Sequence, residues 1–249
     1  MTQSSPTSSE PRLSELAKHL KYPDGIVRSD WNAISRLAAK CGITFDRWQA
    51  GLGTLLFGKT RDGQYAAGTG GAAISLCRQA GKTFLIGNSV NMMCILKPNT
   101  TVLWTAHRTR TAGETFRHMQ ALAQNKAVAR HIRTVSRGAG KEAIEFTNGS
   151  RILFGAREQG FGRGFDAIDV EIFDEAQILT EKALEDMVPA VNAAPNGLIV
   201  YMGTPPRPND PSEVFARLRH EAFRRARPHV VRVRRGRRRQ GPRRPRAMA

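Results

Sequence analysis

From Ala72 to Leu96 the chain passes from an apolar run through a short loop into a stretch of helical length, and this junction constrains the fold most. Ala72-Ala73-Ile74-Ser75-Leu76 leads in as a buried strand does. Cys77-Arg78-Gln79-Ala80 crosses over, Gly81-Lys82-Thr83 opens the next element, and Thr83 to Leu96 continues it. In that order, loop N–H groups and the positive end of a helix dipole converge on one point, which suits a polyphosphate. Lys82 adds a mobile charge for β- and γ-phosphates, and the Thr83 hydroxyl suits Mg2+. The general pattern G-x-x-x-x-G-K-[ST] has a glycine where this chain has Leu76. Gly81-Lys82-Thr83 alone also fits a surface turn before an ordinary helix.

A second segment narrows the reading. Ile168-Asp169-Val170-Glu171-Ile172-Phe173-Asp174-Glu175 is a strand pattern that ends in two adjacent carboxylates. Beside a phosphate loop, Asp174 suits the Mg2+ shell and Glu175 suits a general base for the attacking water. The alternative is an acidic first turn of a helix. The two segments in this order predict a nucleotide hydrolase.

Strand-type and helix-type segments alternate. Thr101–Ala106 and Leu198–Met202 read as strands, Thr111–Arg130 as a helix, and Pro11–Lys21 and Ser29–Lys40 have helical spacing, with Ser29 or Asp30 as the N-cap of Ser29–Lys40. Glu142–Phe154 reads as a hairpin with Asn148-Gly149 as a type I′ turn. A helix is expected from Glu175 to about Val188, closed by Pro189, and residues 205–211 read as a linker. The predicted fold is α/β: a P-loop NTPase (RecA-like) with a mostly parallel sheet, helices on both faces, and nucleotide at the carboxyl edge.

The chain has 249 residues and a formal charge of +18, but from Arg224 onward there are twelve Arg and no Lys or acidic residue. Without that block the charge is +6, which supports nucleic-acid contact only moderately. No apolar run is long enough to span a bilayer and no cleavable signal is visible, so no membrane association and no secretion are expected. Cys41, Cys77 and Cys94 stand apart and read as free thiols, with no zinc site. The expected organisation is a leader over residues 1–25, a P-loop ATPase domain over 26–221, and an Arg/Pro-rich tail over 222–249 too poor in apolar residues to fold. A shifted reading frame through GC-rich DNA gives such a composition; an evolved DNA-binding tail is the alternative.

Ser75-x-x-Arg78-Gln79-x-Gly81-Lys82-Thr83 resembles the variant P-loop of the large terminase subunits of tailed bacteriophages, in which Arg-Gln replaces the glycine-rich lead-in. The resemblance spans about residues 40–220. It takes in Trp48-Gln49, the strand ending at Thr105, the Asn148-Gly149 hairpin, Arg163-Gly164, Asp174-Glu175-Ala176 and Gly203-Thr204-Pro205. It implies an Mg2+-dependent ATPase that converts ATP and water to ADP and phosphate and drives double-stranded DNA through a portal into the procapsid. Further partners it implies are a terminase small subunit and other copies of the chain in a ring, in the host cytoplasm.

Carried onto this chain, the resemblance makes Gln49 the adenine-reading residue; the alternative is a helix-surface Gln beside a core Trp. Arg78, Gln79, Ala80, Gly81, Lys82 and Thr83 bind ATP, and Arg78 and Lys82 stabilise the transferring phosphoryl group. For Arg78 the alternative is an ion pair within the loop. Thr83 and Asp174 hold Mg2+, and Glu175 is the catalytic base. Gly203 and Thr204 become the coupling motif, or else an ordinary strand exit. Arg163 reaches a neighbouring subunit's nucleotide, touches DNA, or is solvated. Full-length members add a nuclease domain. Only Asp210, Glu213 and Glu221 follow the coupling motif here, so no nuclease activity is expected. Rival readings are a helicase-like translocase, since Asp174-Glu175-Ala176-Gln177 also fits a D-E-A-x box, and an inactive fragment with only basic DNA-binding character.

Overall fold

The computed structural model describes residues 10–138, 140–161, 164–208 and 210–224, and the backbone of 230–233. Gly162 and Arg163 lie outside the described residues. A one-turn helix, α1 (Leu13–Leu16), runs into strand β1 (Ala17–Leu20). The helix expected through Lys21 is cut short because Ala17–Leu20 pairs with a later strand, and tertiary pairing outweighs local spacing. After β2 (Arg28–Ser29) come α2 (Trp31–Lys40), α3 (Arg47–Leu56) and β3 (Gly58–Lys59), which pairs with β2. Asp30 occupies the N-cap position of α2, yet the Ser29 hydroxyl accepts the Trp31 N–H, at 3.2 Å. Helix α3 needs Gly53, since a Cβ there would stand 2.3 Å from the Trp31 ring.

The expected strand–loop–helix is present as β4 (Ala72–Leu76) and α4 (Lys82–Leu96). Strand β5 (Thr101–Ala106) is followed by two helices instead of one, α5 (Thr109–Ala123) and α6 (Lys126–Ala129). The break falls at Asn125, whose side chain caps α6 by accepting the Ala127 N–H.

Strands β6 (Ile132–Ser136), β7 (Ala143–Phe146) and β8 (Arg151–Ala156) form an antiparallel meander that contains the expected hairpin. Its turn is not type I′. The Phe146 carbonyl accepts the Gly149 N–H at 3.2 Å, and of the Asn148-Gly149 pair only Gly149 takes a positive φ, 86°. The Asn148 amide donates to the Cys94 and Ile95 carbonyls at 2.8 and 3.2 Å, so the turn is shaped by its grip on the end of α4.

The last elements are β9 (Val170–Phe173), α7 (Glu181–Asn192), β10 (Leu198–Gly203), α8 (Glu213–Arg224) and β11 (Val230–Val233). Helix α7 starts six residues later than expected, capped by Thr180, and Pro189 lies inside it instead of closing it. Part of the segment expected not to fold is ordered: α8 runs to Arg224, and Val230–Val233 joins the sheet.

The sheet order is β1-β11-β4-β10-β9-β5-β8-β7-β6. The six strands from β11 to β8 are parallel, with antiparallel partners at each edge. Its two faces sort into separate cores. Ile74, Leu76, Trp104, Ile172 and Met202 pack with α2–α5, while Leu103, Phe173, Ile199 and Tyr201 pack with α7 and α8. Helices therefore cover both faces, as expected. Cys41 and Cys94 are buried, and burial pushes both thiols up. Among the described residues no helix is long and apolar enough to cross a membrane.

One polar cluster ties the N-terminal helices to the end of α4. The Asp30 carboxylate accepts from Lys97 and from the Tyr65 hydroxyl (3.3 Å), and lies 3.5 Å from the buried Lys59 ammonium. Burial alone would raise the Asp30 carboxyl, but the Lys97 hydrogen bond and charge, then Lys59 and Tyr65, outweigh it and hold it below its ordinary range. Its stabilising contribution is therefore complete above the unfolded carboxylate pKa of about 4 and lost as pH falls through the lower folded value. Asp30→Asn should cost about 1–3 kcal/mol at pH 7. Urea unfolding at pH 7 and pH 3 checks this: the difference from wild type should shrink at pH 3.

Candidate nucleotide site

The loop between β4 and α4 takes two positive φ angles, 58° at Gln79 and 87° at Gly81. Gly81 is the N-cap of α4, and a Cβ on it would stand 2.8 Å from the Gln49 Nε2. Glycine here therefore allows both the left-handed turn and the close approach of Gln49. Arg78 and Gln79 are exposed, and Ala80, Gly81, Lys82 and Thr83 are half-buried. The fifteen-residue helix α4 begins at Lys82, so its free N–H groups face the loop. The Lys82 ammonium folds back on the Cys77 carbonyl at 3.2 Å and near that of Leu76 at 3.4 Å. Burial lowers its pKa, and the charge of Asp174 opposes this.

Gln49 is buried beside the loop, on α3. Its Oε1 accepts the Asp46 N–H at 2.9 Å in a capping box, which leaves Nε2 as the end turned toward Gly81. Trp48 is buried and donates to Asp46 at 3.2 Å.

Asp174 follows β9 and is buried. Its Oδ1 accepts the Glu175 N–H at 2.8 Å, and its Oδ2 lies 3.5 Å from the Thr115 hydroxyl on α5. Burial raises its pKa, while the Glu175 N–H and the Lys82 charge pull the other way. Glu175 itself stands in the left-handed region, at φ 53° and ψ 41°. That conformation costs a non-glycine residue about 1–3 kcal/mol, and such strain concentrates at functional sites. Its Oε1 meets the Thr111 hydroxyl at 3.3 Å, and its buried Oε2 has no partner.

Strand β10 lies between β4 and β9, with Gly203 in register with Ser75 and Tyr201 with Phe173. The end of β10 therefore falls between the loop and the two carboxylates. There the buried Gln177 Oε1 accepts the Thr204 N–H at 3.1 Å. A Cβ on Gly203 would stand 2.6 Å from that same oxygen. The link joins the segment after Glu175 to the end of β10, and the sequence assigned no role to Gln177.

Two charged residues were also missed. Arg157, just after β8, donates Nη1 to the Thr105 carbonyl (2.9 Å) and Nη2 to the Asp174 carbonyl (2.8 Å). Burial pushes its pKa down to about 10, against the pull of Asp174, Glu175 and Glu171. Only the end of the hairpin strand marks it in the sequence. Glu171 is fully buried in β9 with neither carboxylate oxygen hydrogen-bonded, and burial pushes its pKa up to about 8 against Arg157. A signal for Glu171 did exist: a strand apolar on both faces buries whatever charge it contains.

The residues fit an Mg2+–nucleotide. An orphaned carboxylate oxygen, an ionisable Asp beside it and a free helix N-terminus share one sheet edge. Among the described residues no group of three or more His, Cys, Asp or Glu side chains is placed to hold a metal ion by itself. Mg2+ does not require one, since it keeps several waters and binds through one or two protein groups plus phosphates.

A parallel sheet with a phosphate-type loop on one strand and paired carboxylates two strands away, with β10 between them, is a RecA-like fold. More particularly, it is the fold of the ATPase domain of bacteriophage large terminases. The HK97 bacteriophage large terminase superposes with a TM-score of 0.65 at 15% identity, over 82% of this chain and 43% of that one. The large terminase ATPase domain of Thermus phage P74-26 gives 0.53 at 14% identity, over 77% and 72%. The chain thus spans less than half the length of the HK97 protein. No protein-family model and no curated protein sequence matches it.

The buried Glu171 carries a stability prediction. Between the ordinary Glu value of 4.5 and about 8, the unfolded chain ionises here while the folded chain stays protonated, so stability falls as pH rises through that window. Glu171→Gln removes the dependence. Thermal unfolding should give the variant a Tm advantage of about 3 °C or more at pH 8 that dwindles by pH 5. An advantage independent of pH would refute the assignment.

Proposed function

We propose that the chain is the ATPase domain of a terminase-type motor, which hydrolyses ATP to move double-stranded DNA through a portal into a procapsid. The observation that carries the reading is the meeting, at one sheet edge, of the Gly81–Thr83 helix start, the Asp174–Glu175 pair and Thr204. The likeness in fold to large terminase ATPase domains supports it.

In this reading the loop N–H groups and Lys82 cradle the phosphates, while Arg78, exposed on the loop, closes over the γ-phosphoryl group. Thr83 and Asp174 would hold Mg2+, which would supply neutralisation of the charge on the transferring phosphoryl group. Glu175, with Oε2 unpaired, takes the proton of the attacking water. Gln49 offers Nε2 to the base, because its oxygen is engaged by Asp46. The Gln177–Thr204 link would carry loss of the γ-phosphate into the end of β10. A small subunit, a ring of copies and a site of action in the host cytoplasm belong to the same proposal.

The test is Mg2+-dependent ATP hydrolysis by the full chain, with and without duplex DNA and a matching portal–procapsid. Stimulation by the procapsid is expected for a packaging motor, whereas strand separation of a duplex would favour a helicase. Glu175→Gln should lower turnover ~10²–10⁴-fold while binding of a fluorescent ATP analogue stays within a few-fold. Surviving turnover would remove Glu175 from the role of base.

A further inference from the structure

We infer that Arg157 is a positioning residue that holds the Asp174–Glu175 turn in its working geometry, a role that rests on the hydrolase reading above. Up to Asp174 the backbone is held by the ladder between β9 and β5: the Asp174 N–H donates to the Thr105 carbonyl at 2.8 Å. At Glu175 the chain leaves the strand through a left-handed residue, and the ladder can supply no donor to the Asp174 carbonyl. Arg157 supplies it, at 2.8 Å. The other arm of the same guanidinium reaches the Thr105 carbonyl at 2.9 Å and the Thr105 hydroxyl at 3.3 Å.

The peptide unit between Asp174 and Glu175 is thereby fixed at both ends. Its carbonyl is held by Arg157, and its N–H by the Asp174 carboxylate at 2.8 Å. That plane sets the direction from which Glu175 departs in its left-handed conformation, with its carboxylate beside Thr111 on α5. The guanidinium lies 5.9 Å from the Phe173 ring, packed against the sheet instead of turned to solvent. The charges of Asp174 and Glu175 also bear on it, which favours its ionised form against burial. A lysine keeps the charge but cannot span the two carbonyls with a planar fork.

The experiment compares wild type, Arg157→Lys and Arg157→Ala in steady-state ATP hydrolysis with duplex DNA and procapsid, with folding checked by circular dichroism. A displacement of the base on the ångström scale predicts a kcat loss of roughly 10²-fold in Arg157→Lys, with KM for ATP within about threefold of wild type. Methylguanidinium at tens of millimolar should restore part of the kcat of Arg157→Ala and none of that of Arg157→Lys. An active wild type with an unimpaired Arg157→Lys overturns this inference alone. So does a loss that merely follows the fraction of folded protein. A wild type that binds the analogue but never turns over overturns the hydrolase reading, and this role with it.

Discussion

The placement of one strand governs the candidate site. The chain forms β10 after every other strand of the parallel centre except β11, yet β10 inserts between β4 and β9, bonded to both. That insertion sets the spacing between the phosphate-type loop and the carboxylates. It also brings Thr204 against Gln177 and makes Gly203 obligatory where the Gln177 oxygen approaches. Had β9 paired directly with β4, the loop and the acids would be one strand closer, with no element between them to register a change at either.

Electrostatics at this edge is a balance struck under desolvation. Burial works against four of the charged groups there: it raises Asp174 and Glu171 and lowers Lys82 and Arg157. Opposing charge answers this in part, since Asp174 favours the ionised forms of both Lys82 and Arg157. Glu171 is the group that this balance does not satisfy, since neither of its oxygens has a hydrogen-bond partner. A buried acid in that position remains protonated near neutrality, and so adds no third negative charge beside the Asp174–Glu175 pair.

The far end of α4 is anchored as firmly as its start. Lys97 pairs with Asp30, and Asn148 caps the Cys94 and Ile95 carbonyls from the hairpin. Inside the helix, Asn88, Ser89 and Asn91 are buried and bond back to carbonyls one turn earlier, which lets polar side chains sit in an apolar core. The end of helix α4 away from the loop is thus tied both to the N-terminal segment and to the hairpin.

Much of this was legible in the residues. The β4–α4 junction, β5, the hairpin and β9 with its two acids follow from apolar runs, alternation and glycine placement, which are local. Asn148 marks a limit: the hairpin was predictable, but its turn type depends on a carbonyl of α4 that sequence cannot place beside it. The same holds for Ala17–Leu20, helical in spacing but a strand by pairing, and for Val230–Val233, whose composition hid a strand between β1 and β4. The sequence by itself determined where the Gly81-Lys82-Thr83 helix start and the Asp174-Glu175 pair fall at the ends of strands, because those features depend on residue type and short spacing. Only the tertiary structure decided that Arg157, Gln177 and Glu171 bear on the site. Their contacts cross strands distant in the chain, and whether a buried charge is met or left alone depends on that order.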